Sequence, residues 1–464
     1  MRGRTWLEQV GVIADRGREI LSRAPAGRAP KSAGALCEKL LAQRGEASGV
    51  ALASELVGAI HDMDAAQMAR FLHVLAARFG PDSSRIDTAV ERWVANRDAE
   101  ALGELAAAAE SPRQELFRRL NVAPGGTHAM VHLRARLLEL LPETPGLRPL
   151  EADLRHLLTS WFNPGFLRLE EISWHTAAAI LERLIVYEAV HQIRGWEDLR
   201  LRLAADRRCY AFFHPALPDE PLIFVEVALT RGLAEAIWPL IDPGREVASP
   251  SVADSAIFYS ISNCQRGLRG ISFGSFLIKR VVSELSADVP WLKTFATLSP
   301  LPGLRRAVER AVERTDSPEA FTDDRLRALI GEKSDELCRL AGAADPAVAL
   351  RQLLDSAGPR PAPVQTVLRR LALDYLLHVR RGRRVSDPVA HFHLANGARL
   401  ERIDLDADLS EGGQPSYGVM VNYLYEPQTV ELNHERYVDT GEVAMARGLM
   451  AESRRLVGSR QQAS

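Results

Sequence analysis

Two histidines in one short segment are the side chains best suited to move a proton near neutral pH. His391 and His393 lie within residues 387–400 (DPVAHFHLANGARL), and imidazole normally changes its charge in the physiological range. Asp387-Pro388 suits a helix start and Asn396-Gly397 a helix end, so both histidines belong to one predicted helix. Residues two apart on a helix face different directions. The spacing alone does not indicate which histidine is catalytic. A histidine on a helix more often makes a structural hydrogen bond and takes no part in chemistry.

A glycine-rich loop between a predicted strand and a predicted helix is the second feature with chemical potential. Residues 265–270 (QRGLRG) follow the apolar run 256–261 and precede a helical pattern from 276 to 285. Glycines let a backbone approach an anion, and the first N–H groups of a helix lack internal partners. Four basic residues in or near the loop add positive charge: Arg266, Arg269, Lys279 and Arg280. The loop is therefore a predicted phosphate-binding site. The spacing is neither GxGxxG nor that of a Walker loop, and a plain Gly-rich turn is the alternative.

Several separated motifs resemble the malonyl-CoA decarboxylase family and occur in the family's order. The loop itself resembles the Q/R-x-x-G-x-G/A loop with which the GNAT acyltransferase superfamily holds the pyrophosphate of coenzyme A. The other matching segments are YEAVHQI (187–193), RRCYAFFHP (207–215), IFYSIS (257–262), GSFLIKRVV (274–282), FATLSPLPG (295–303), DPVAHFHLANGARL (387–400) and VMVNYLY (419–425). The resemblance covers about the last 300 residues closely and the first 165 in general character.

The resemblance implies decarboxylation of malonyl-CoA to acetyl-CoA and CO₂. Loss of CO₂ leaves a carbanion that delocalises into the thioester carbonyl as an enolate, so no metal or biotin is expected. The protein must anchor the CoA part, stabilise the enolate oxygen with fixed donors and protonate the carbon. By resemblance to a GNAT-like fold, a backbone amide within Ser260 to Asn263 is expected to donate to that oxygen, with Asn422 and Tyr423 as second candidates.

By resemblance, His393 matches the family's catalytic histidine and is predicted to donate the proton. Thr297 stands where the family has Ser or Thr, and its hydroxyl is predicted to orient the malonyl carboxylate or relay the proton. Ser299 is a nearby competitor, and the acid and base roles within the pair stay open. Malonyl-CoA is predicted to contact Thr297, His393 and the loop residues Gly267, Leu268, Arg269, Gly270, Ile271, Ser272 and Phe273.

The order of predicted elements indicates an α+β chain with two domains. Residues 1–165 read as successive amphipathic helices, a predicted all-α bundle. Residues 166–464 read as a GNAT-like mixed α/β domain with a helical insertion at about 301–385. Strands are predicted at 209–213, 222–229, 256–261, 291–298, 398–405 and 417–425, and further helices at 177–190 and 442–456. The segment 214–221 is a predicted turn, and the basic run 380–384 is more simply a solvated charge cluster than a second phosphate contact.

Composition limits the classes of partner. A net charge of −2 over 464 residues argues against a nucleic-acid or membrane-surface binder. The four cysteines lack CxxC or zinc spacing, and no apolar run approaches a membrane span. The N-terminus does not read as a signal peptide, so a cytoplasmic location is expected. By resemblance, the helical domain is expected to form a dimer or tetramer.

Two other classes of function compete with the decarboxylase. A GNAT-type acyl-CoA-dependent N-acyltransferase would use the same loop, but it needs an acceptor channel, and the His393 motif argues against it. A catalytically silent CoA-binding protein would combine the helices with a degenerate site, and the presence of both Thr297 and His393 disfavours it. Release of CO₂ from malonyl-CoA without an amine would separate these classes from a decarboxylase.

Overall fold

The computed structural model describes residues 10–16, 18, 32–271, 276–315, 317, 320–356 and 358–461. The chain divides into two compact units. Three segments form the first unit: Met1–Arg168, Phe213–Leu222 and Asn263–Phe273. Three form the second: Leu169–Phe212, Ile223–Ser262 and Gly274–Ser464. The predicted domain boundary at residue 165 stays a prediction.

Helices make up most of the first unit, as the sequence predicts. They span Ala33–Ala42, Glu46–His61, Ala65–Arg78, Ser83–Asn96, Ala99–Ala109, Pro112–Val122, Gly126–Leu140 and Arg148–Trp161. Aspartates start several of them: the Asp64 carboxylate accepts from the Gln67 N–H, and the Asp98 carboxylate accepts from the Ala101 N–H. Such caps satisfy N–H groups that have no partner inside the helix. The predicted stripe around Phe71 and Leu72 is buried.

Most of one mixed sheet belongs to the second unit, and residues 168, 213–214, 217–222 and 263 of its strands belong to the first. Its strands are β1 (Arg168–Ile172), β2 (Arg207–His214), β3 (Leu217–Thr230), β4 (Ser255–Asn263), β5 (Thr294–Thr297) and β6 (Ser299–Pro300), followed by β9 (Arg399–Asp404) and β10 (Met420–Leu424). The order is β1-β2-β3-β4-β5-β10-β6, with β9 also paired to β10. Strands β7 (Arg380–Arg381) and β8 (Arg384–Val385) form a separate small hairpin within the basic run. The α+β class is confirmed, and the mixed sheet agrees with the GNAT-like prediction.

The helices of the second unit include the predicted insertion. They span Ala178–Tyr187, Trp196–Arg202, Trp238–Ile241, Phe276–Asp288, Leu304–Val312, Asp323–Ile330, Ser334–Ala341, Pro346–Leu354, Ala362–His378, Pro388–Ala395, Val430–Thr440 and Arg447–Gln461. The last helix starts at Arg447 rather than near 442. Pairing explains the difference, because Leu400 N–H donates to Ala444 C=O and Ala446 N–H donates to Leu400 C=O.

Several predicted strand limits differ from the structure, and the last strand begins at Met420 rather than at Tyr417. The predicted turn at 214–221 is too long, because β2 continues to His214 and β3 begins at Leu217. Strand β5 begins at Thr294, not at Trp291. Trp291 is about half exposed, and its indole N–H donates to Pro250 C=O at 3.3 Å. Trp291, although aromatic and close to the strand, therefore belongs to the preceding turn.

The register around β5 and β6 sets two hydroxyls on one side of the sheet. Strand β4 runs parallel to β5, with Phe258 opposite Thr297, and β10 runs antiparallel, with Val421 opposite Ser299. Between the two hydroxyl residues, Leu298 packs into an apolar cluster with Ala296. Because successive side chains of a strand face opposite sides, Thr297 and Ser299 point away from that cluster together.

Asp387 fixes the start of the helix Pro388–Ala395. Its carboxylate accepts from the N–H groups of Val389 and Ala390, each at 3.0 Å, and from the Gly303 N–H at 3.0 Å. Burial raises the pKa of Asp387 to about 6, although these N–H donors oppose the shift. The folded chain therefore binds a proton at Asp387 more tightly than the unfolded chain does.

We predict that the stability difference between Asp387→Asn and the wild type depends on pH. The raised pKa means that the contribution of Asp387 is fully present below 3.8 and is lost as pH rises through about 6. Asparagine does not ionise, so the variant should gain stability relative to wild type between pH 4 and 7, by ~3 kcal/mol at most. Urea unfolding at several pH values measures this difference.

Asp345→Asn is the matched control for this prediction. Asp345 caps the helix Pro346–Leu354 near the surface, and the Arg327 side chain lowers its pKa. Its contribution is lost only as pH falls through that lowered pKa, so the difference from wild type should stay constant between pH 4 and 7. A constant difference for Asp387→Asn over the same range would contradict a raised pKa at Asp387.

Candidate active site

A buried chain of hydroxyl and imidazole groups lies between β5, β6, β10 and the helix Pro388–Ala395. Ser299 Oγ is 3.0 Å from His393 Nε2 and 3.0 Å from Thr297 Oγ1. On the other side of the ring, His393 Nδ1 is 2.9 Å from the Tyr425 hydroxyl. The order of contact is therefore Tyr425, His393, Ser299, Thr297.

The two predicted catalytic residues come together through a third. Ser299 lies between His393 and Thr297 and bonds to both. Thr297 Oγ1 accepts from Ser299 and also from the Tyr423 N–H at 3.4 Å. The hydroxyl in direct contact with the imidazole is thus that of Ser299, which the sequence offers only as a competitor of Thr297. No part of the sequence pattern distinguishes the two, because both point to the same face of one strand segment.

The hydrogen bond from Ser299 to Thr297 is compatible with one tautomer of His393. Ser299 Oγ donates to Thr297 Oγ1, and with its proton used there Ser299 is placed to accept from a His393 Nε2–H. The second ring nitrogen, Nδ1, is then free of a proton in the neutral ring and accepts from the Tyr425 hydroxyl. Tyr425 therefore orients the imidazole, and it is a member of the site that sequence reasoning missed. Its place at the end of the family-matching segment VMVNYLY (419–425), one residue beyond β10, is the signal that was available.

Burial keeps this group of side chains neutral. His393 is 2 % exposed and Tyr425 is 3 % exposed. Loss of water lowers the pKa of His393 to about 3 and raises the pKa of Tyr425 well above its ordinary value. The expectation that this histidine titrates near neutral pH comes from the behaviour of exposed imidazole, and burial changes it.

Aromatic rings and an amide hold the imidazole and the strand in place. The Tyr423 ring stacks on the His393 ring with centroids 4.6 Å apart, and Phe392 meets it edge-on at 5.1 Å. Asn422 Nδ2 donates to the carbonyls of Thr297, at 2.9 Å, and Ala234, at 3.2 Å. The amide protons of Asn422 are thus used on backbone, which makes it a clamp between strands rather than a free donor to an enolate.

The segment Ser260 to Asn263, expected to offer an amide to the enolate oxygen, also carries two hydroxyl groups, and both are engaged. Ser260 Oγ donates to the Glu188 carboxylate at 2.9 Å, and Ser262 Oγ donates to it at 3.1 Å. Glu188 is buried and accepts from the N–H groups of Val190 and His191, each at 2.8 Å. The YEAVHQI motif therefore holds the end of β4 through a carboxylate, and these serine side chains are occupied.

His391 faces away from the hydroxyl chain, as helical spacing predicts. Its Nδ1 lies 2.9 Å from the Tyr437 hydroxyl, and the two rings pack 5.7 Å apart. Burial lowers the pKa of His391, and the neighbouring Arg384 lowers it further. The two histidines thus form similar His–Tyr pairs, and only the pair of His393 and Tyr425 is bonded to the serine and threonine.

The loop predicted to bind malonyl-CoA forms a single turn of 3₁₀ helix, Arg266–Leu268. Gly267 packs against a helix backbone, since a Cβ there would lie 1.8 Å from Val131 O. Gly270 has a φ of +76°, and its surroundings are open. Ile271 is buried, whereas the side chains of Arg266 and Arg269 are exposed. Ser272 and Phe273 lie outside the described residues.

The other basic residues predicted to add charge near the loop have interaction partners in the second unit. Lys279 pairs with Glu431 at 2.7 Å, and the Arg280 guanidinium lies 5.7 Å from the centre of the Phe212 ring. In the run 380–384, Arg380 donates to the carbonyls of Leu377 and Gly441. The prediction that the run is a simple solvated cluster is therefore incomplete, because this arginine caps backbone carbonyls.

The described residues contain neither a metal-binding cluster nor a membrane-spanning helix. No group of three or more His, Cys, Asp or Glu side chains in that part of the chain is arranged to hold a metal ion. None of the helices described there combines the length and apolar character needed to cross a bilayer.

Comparisons with known proteins agree with the motifs. The model of the malonyl-CoA decarboxylase C-terminal domain matches residues 165–463, and that of the N-terminal domain matches residues 79–162. The mitochondrial malonyl-CoA decarboxylase of Rattus norvegicus is 33% identical over 412 residues, which cover 84% of this chain and 82% of the relative.

Solved structures of two bacterial proteins are also similar. The crystal structure of malonyl-CoA decarboxylase from Rhodopseudomonas palustris has a TM-score of 0.81 and 46% identity, covering 90% of this chain and 99% of that one. The structure from Agrobacterium vitis has a TM-score of 0.74 and 45% identity, covering 90% and 98%. Both domain models, the relative and these structures lead to one conclusion: the chain belongs to the malonyl-CoA decarboxylase family, whose members are carboxy-lyases.

Proposed function

We propose that this chain converts malonyl-CoA to acetyl-CoA and CO₂, with protonation by the chain of groups Tyr425, His393, Ser299 and Thr297. The observation that carries the proposal is the unbroken series of hydrogen bonds, 2.9 to 3.0 Å long, through these four buried side chains. Membership of the family supports the reaction, and the contacts support the residues.

Breaking the carbon–carbon bond needs an electron sink and a suitable environment. The electron pair of the bond to the carboxylate moves into the thioester carbonyl, CO₂ leaves, and an enolate remains. The thioester is itself the sink, so the proposal requires neither metal nor biotin. The imidazole and hydroxyl groups next to the reacting carbon are neutral, and they offer a buried carboxylate little compensation for the water it has lost. The delocalised charge of the enolate suits such a site better than the localised charge of the carboxylate does.

Protonation of the enolate carbon then follows the order of the hydrogen bonds. A hydroxyl, Ser299 or its partner Thr297, gives its proton to the carbon. Ser299 is replenished by His393 Nε2–H, and His393 Nδ1 takes the proton of Tyr425. The negative charge thus moves from carbon to the phenol oxygen. After turnover a proton from water enters at the hydroxyl end and reaches His393 Nε2 through Ser299, and the Nδ1 proton returns to Tyr425, which restores the starting tautomer. A phenol is a far stronger acid than the α-carbon of a thioester, so the transfer is downhill even with the raised pKa of Tyr425.

The CoA part is proposed to bind at the loop residues Gly267, Leu268, Arg269, Gly270 and Ile271, together with Ser272 and Phe273. Exposed Arg266 and Arg269 supply positive charge for phosphate groups. Binding of CoA at this loop would anchor the substrate equally in the ground state and the transition state, so it would set KM rather than kcat. Formation of a dimer or tetramer through residues 1–165 and a cytoplasmic location stay predictions.

The reaction is tested by incubating the purified chain with malonyl-CoA and no amine. We expect equal amounts of acetyl-CoA and CO₂, unchanged by EDTA or avidin, because neither a metal nor biotin takes part. CoA binding without acetyl-CoA formation would contradict the proposed reaction. Activity that EDTA abolishes would contradict the role of the thioester as the only electron sink.

The roles of the two histidines predict different effects of the same substitution. His393→Gln and Ser299→Ala should each lower kcat at least ~100-fold, the effect typical of a lost proton donor. His391→Gln should leave kcat near the wild-type value, because His391 contacts Tyr437 and not the hydroxyl chain. Steady-state kinetics, with CoA affinity measured beside them to verify folding, distinguish the pair. Equal losses in both histidine variants would contradict the assignment.

Substitutions at Thr297 test whether the hydrogen-bonded series Tyr425, His393, Ser299, Thr297 must end in a hydroxyl group. Thr297→Ala should lower kcat, and Thr297→Ser should restore most of it, because serine keeps the group that accepts from Ser299. Equal kcat values for wild type and Thr297→Ala would remove Thr297 from the proposal and leave Ser299 as the terminal hydroxyl.

Burial of His393 predicts the shape of the pH profile. Because the pKa of His393 is lowered to about 3 from 6.5, the ring is already neutral throughout the range from pH 5 to 8. The value of kcat/KM, which reports the free enzyme, should therefore show no inflection due to His393 in that range. An inflection near pH 6.5 that Tyr425→Phe moves, and the matched variant Tyr437→Phe does not, would show that His393 titrates normally and would contradict a neutral site.

A further inference from the structure

Arg134 is a buried arginine that holds the backbone of the glycine-rich loop. It lies on the helix Gly126–Leu140 and is only 1 % exposed. Its Nη1 donates to the carbonyl oxygen of Gly267 at 2.6 Å, and its Nε and Nη2 donate to Glu151 Oε1 at 3.2 and 2.7 Å. One guanidinium thus links the loop to two helices of the same compact unit.

The loop and the helix are packed as closely as their backbones allow. A Cβ on Gly267 would lie 1.8 Å from Val131 O and 2.7 Å from Val131 C. Leu268 is buried at the same contact, whereas Arg269 and Gly270 are exposed. The inner side of the loop is therefore fixed by the helix, and its outer side remains available. A glycine is required at position 267 because the loop packs against the backbone of the helix. The sequence alone indicates a different reason, the close approach of an anion.

We infer that Arg134 is a positioning residue for malonyl-CoA, acting through the loop rather than by touching the substrate. This inference rests on the proposed role of the loop residues Gly267, Leu268, Arg269, Gly270 and Ile271 in CoA binding. A loop that binds phosphate through backbone groups needs a fixed set of peptide orientations before the ligand arrives. The guanidinium fixes the peptide that follows Gly267, and Glu151 keeps the guanidinium oriented and its charge compensated. The helical N-terminal region then contributes to substrate affinity as well as to packing.

The chain offers a matched control in Arg113. This arginine is 4 % exposed, and its Nε donates to Asp153 Oδ2 at 2.5 Å. Like Arg134, it is a buried guanidinium paired with a carboxylate on the helix Arg148–Trp161. Its bonds join two helices and do not include the loop. Loss of either arginine removes the buried cation from a carboxylate, although Asp153 still accepts from Ser111 Oγ and Gln114 Nε2. Both substitutions should therefore destabilise the fold, and only Arg134→Ala should alter CoA affinity.

The experiment compares Arg134→Ala, Arg134→Lys and Arg113→Ala in the full chain. KM and kcat for malonyl-CoA, the Kd for CoA and the melting temperature are measured for each. Arg134→Ala should raise KM and Kd together by ~10-fold while kcat stays near wild type. Arg113→Ala should lower the melting temperature without changing KM. Arg134→Lys should recover part of the affinity, because one ammonium serves either Gly267 or Glu151 but lacks the fork that serves both.

Arg269→Ala separates a failure of this inference from a failure of the proposed CoA loop. If Arg269→Ala weakens CoA binding and Arg134→Ala does not, the loop assignment stands and Arg134 has no positioning role. If neither variant changes CoA affinity while turnover continues, the loop assignment itself is wrong and the inference falls with it. Equal changes in KM for Arg134→Ala and Arg113→Ala would reduce Arg134 to a structural role. Where Arg134→Ala does not fold, an unchanged Kd in Arg134→Lys overturns the inference.

Discussion

Burial of an imidazole among hydroxyl groups is the constraint on which this site depends. A polar group taken out of water costs free energy unless it finds a hydrogen-bond partner. His393 meets this requirement with Tyr425 on one ring nitrogen and Ser299 on the other, and Ser299 in turn uses its proton on Thr297. The same burial removes the charge of the ring. The same hydrogen bonds that compensate these buried groups for the loss of water therefore also provide the path for proton transfer.

Three elements of the second unit must agree for this arrangement to form. Alternation along the β5–β6 segment points two hydroxyls to one side, and strand β10 supplies Tyr423 and Tyr425 around the imidazole. The helix Pro388–Ala395 brings the ring itself, and its start is fixed because Asp387 accepts from its first N–H groups. Asn422 ties β10 to the carbonyl of Thr297. A shift of one residue in the pairing of β10 would exchange the faces of these tyrosines and break the series.

Local patterns in the sequence predict the elements well, but they do not predict which atoms meet. The apolar run at 256–261, the helix after the loop and the capped helix of His393 all form, because each combines a clear period with a clear start or end. The choice of Ser299 over Thr297 depends on a distance that only the packed register sets. Tyr425 lies 32 positions from His393 in sequence, and nothing local relates the two. The helix Val430–Thr440 was missed because its stability comes from packing: its His434 and Tyr437 bond to the helix of His393.

The central claim is that the malonyl group reacts beside the hydroxyl end of a neutral, buried relay. A crystal structure with a malonyl-CoA analogue that resists decarboxylation tests it most directly. We expect the carbon between the two carbonyl groups to lie ~3.5 Å from Ser299 Oγ or Thr297 Oγ1, a distance suited to reaction. We also expect no cationic side chain to contact the malonyl carboxylate. An analogue whose carbon is remote from both hydroxyls, or whose carboxylate is paired with an arginine or lysine, would contradict the account.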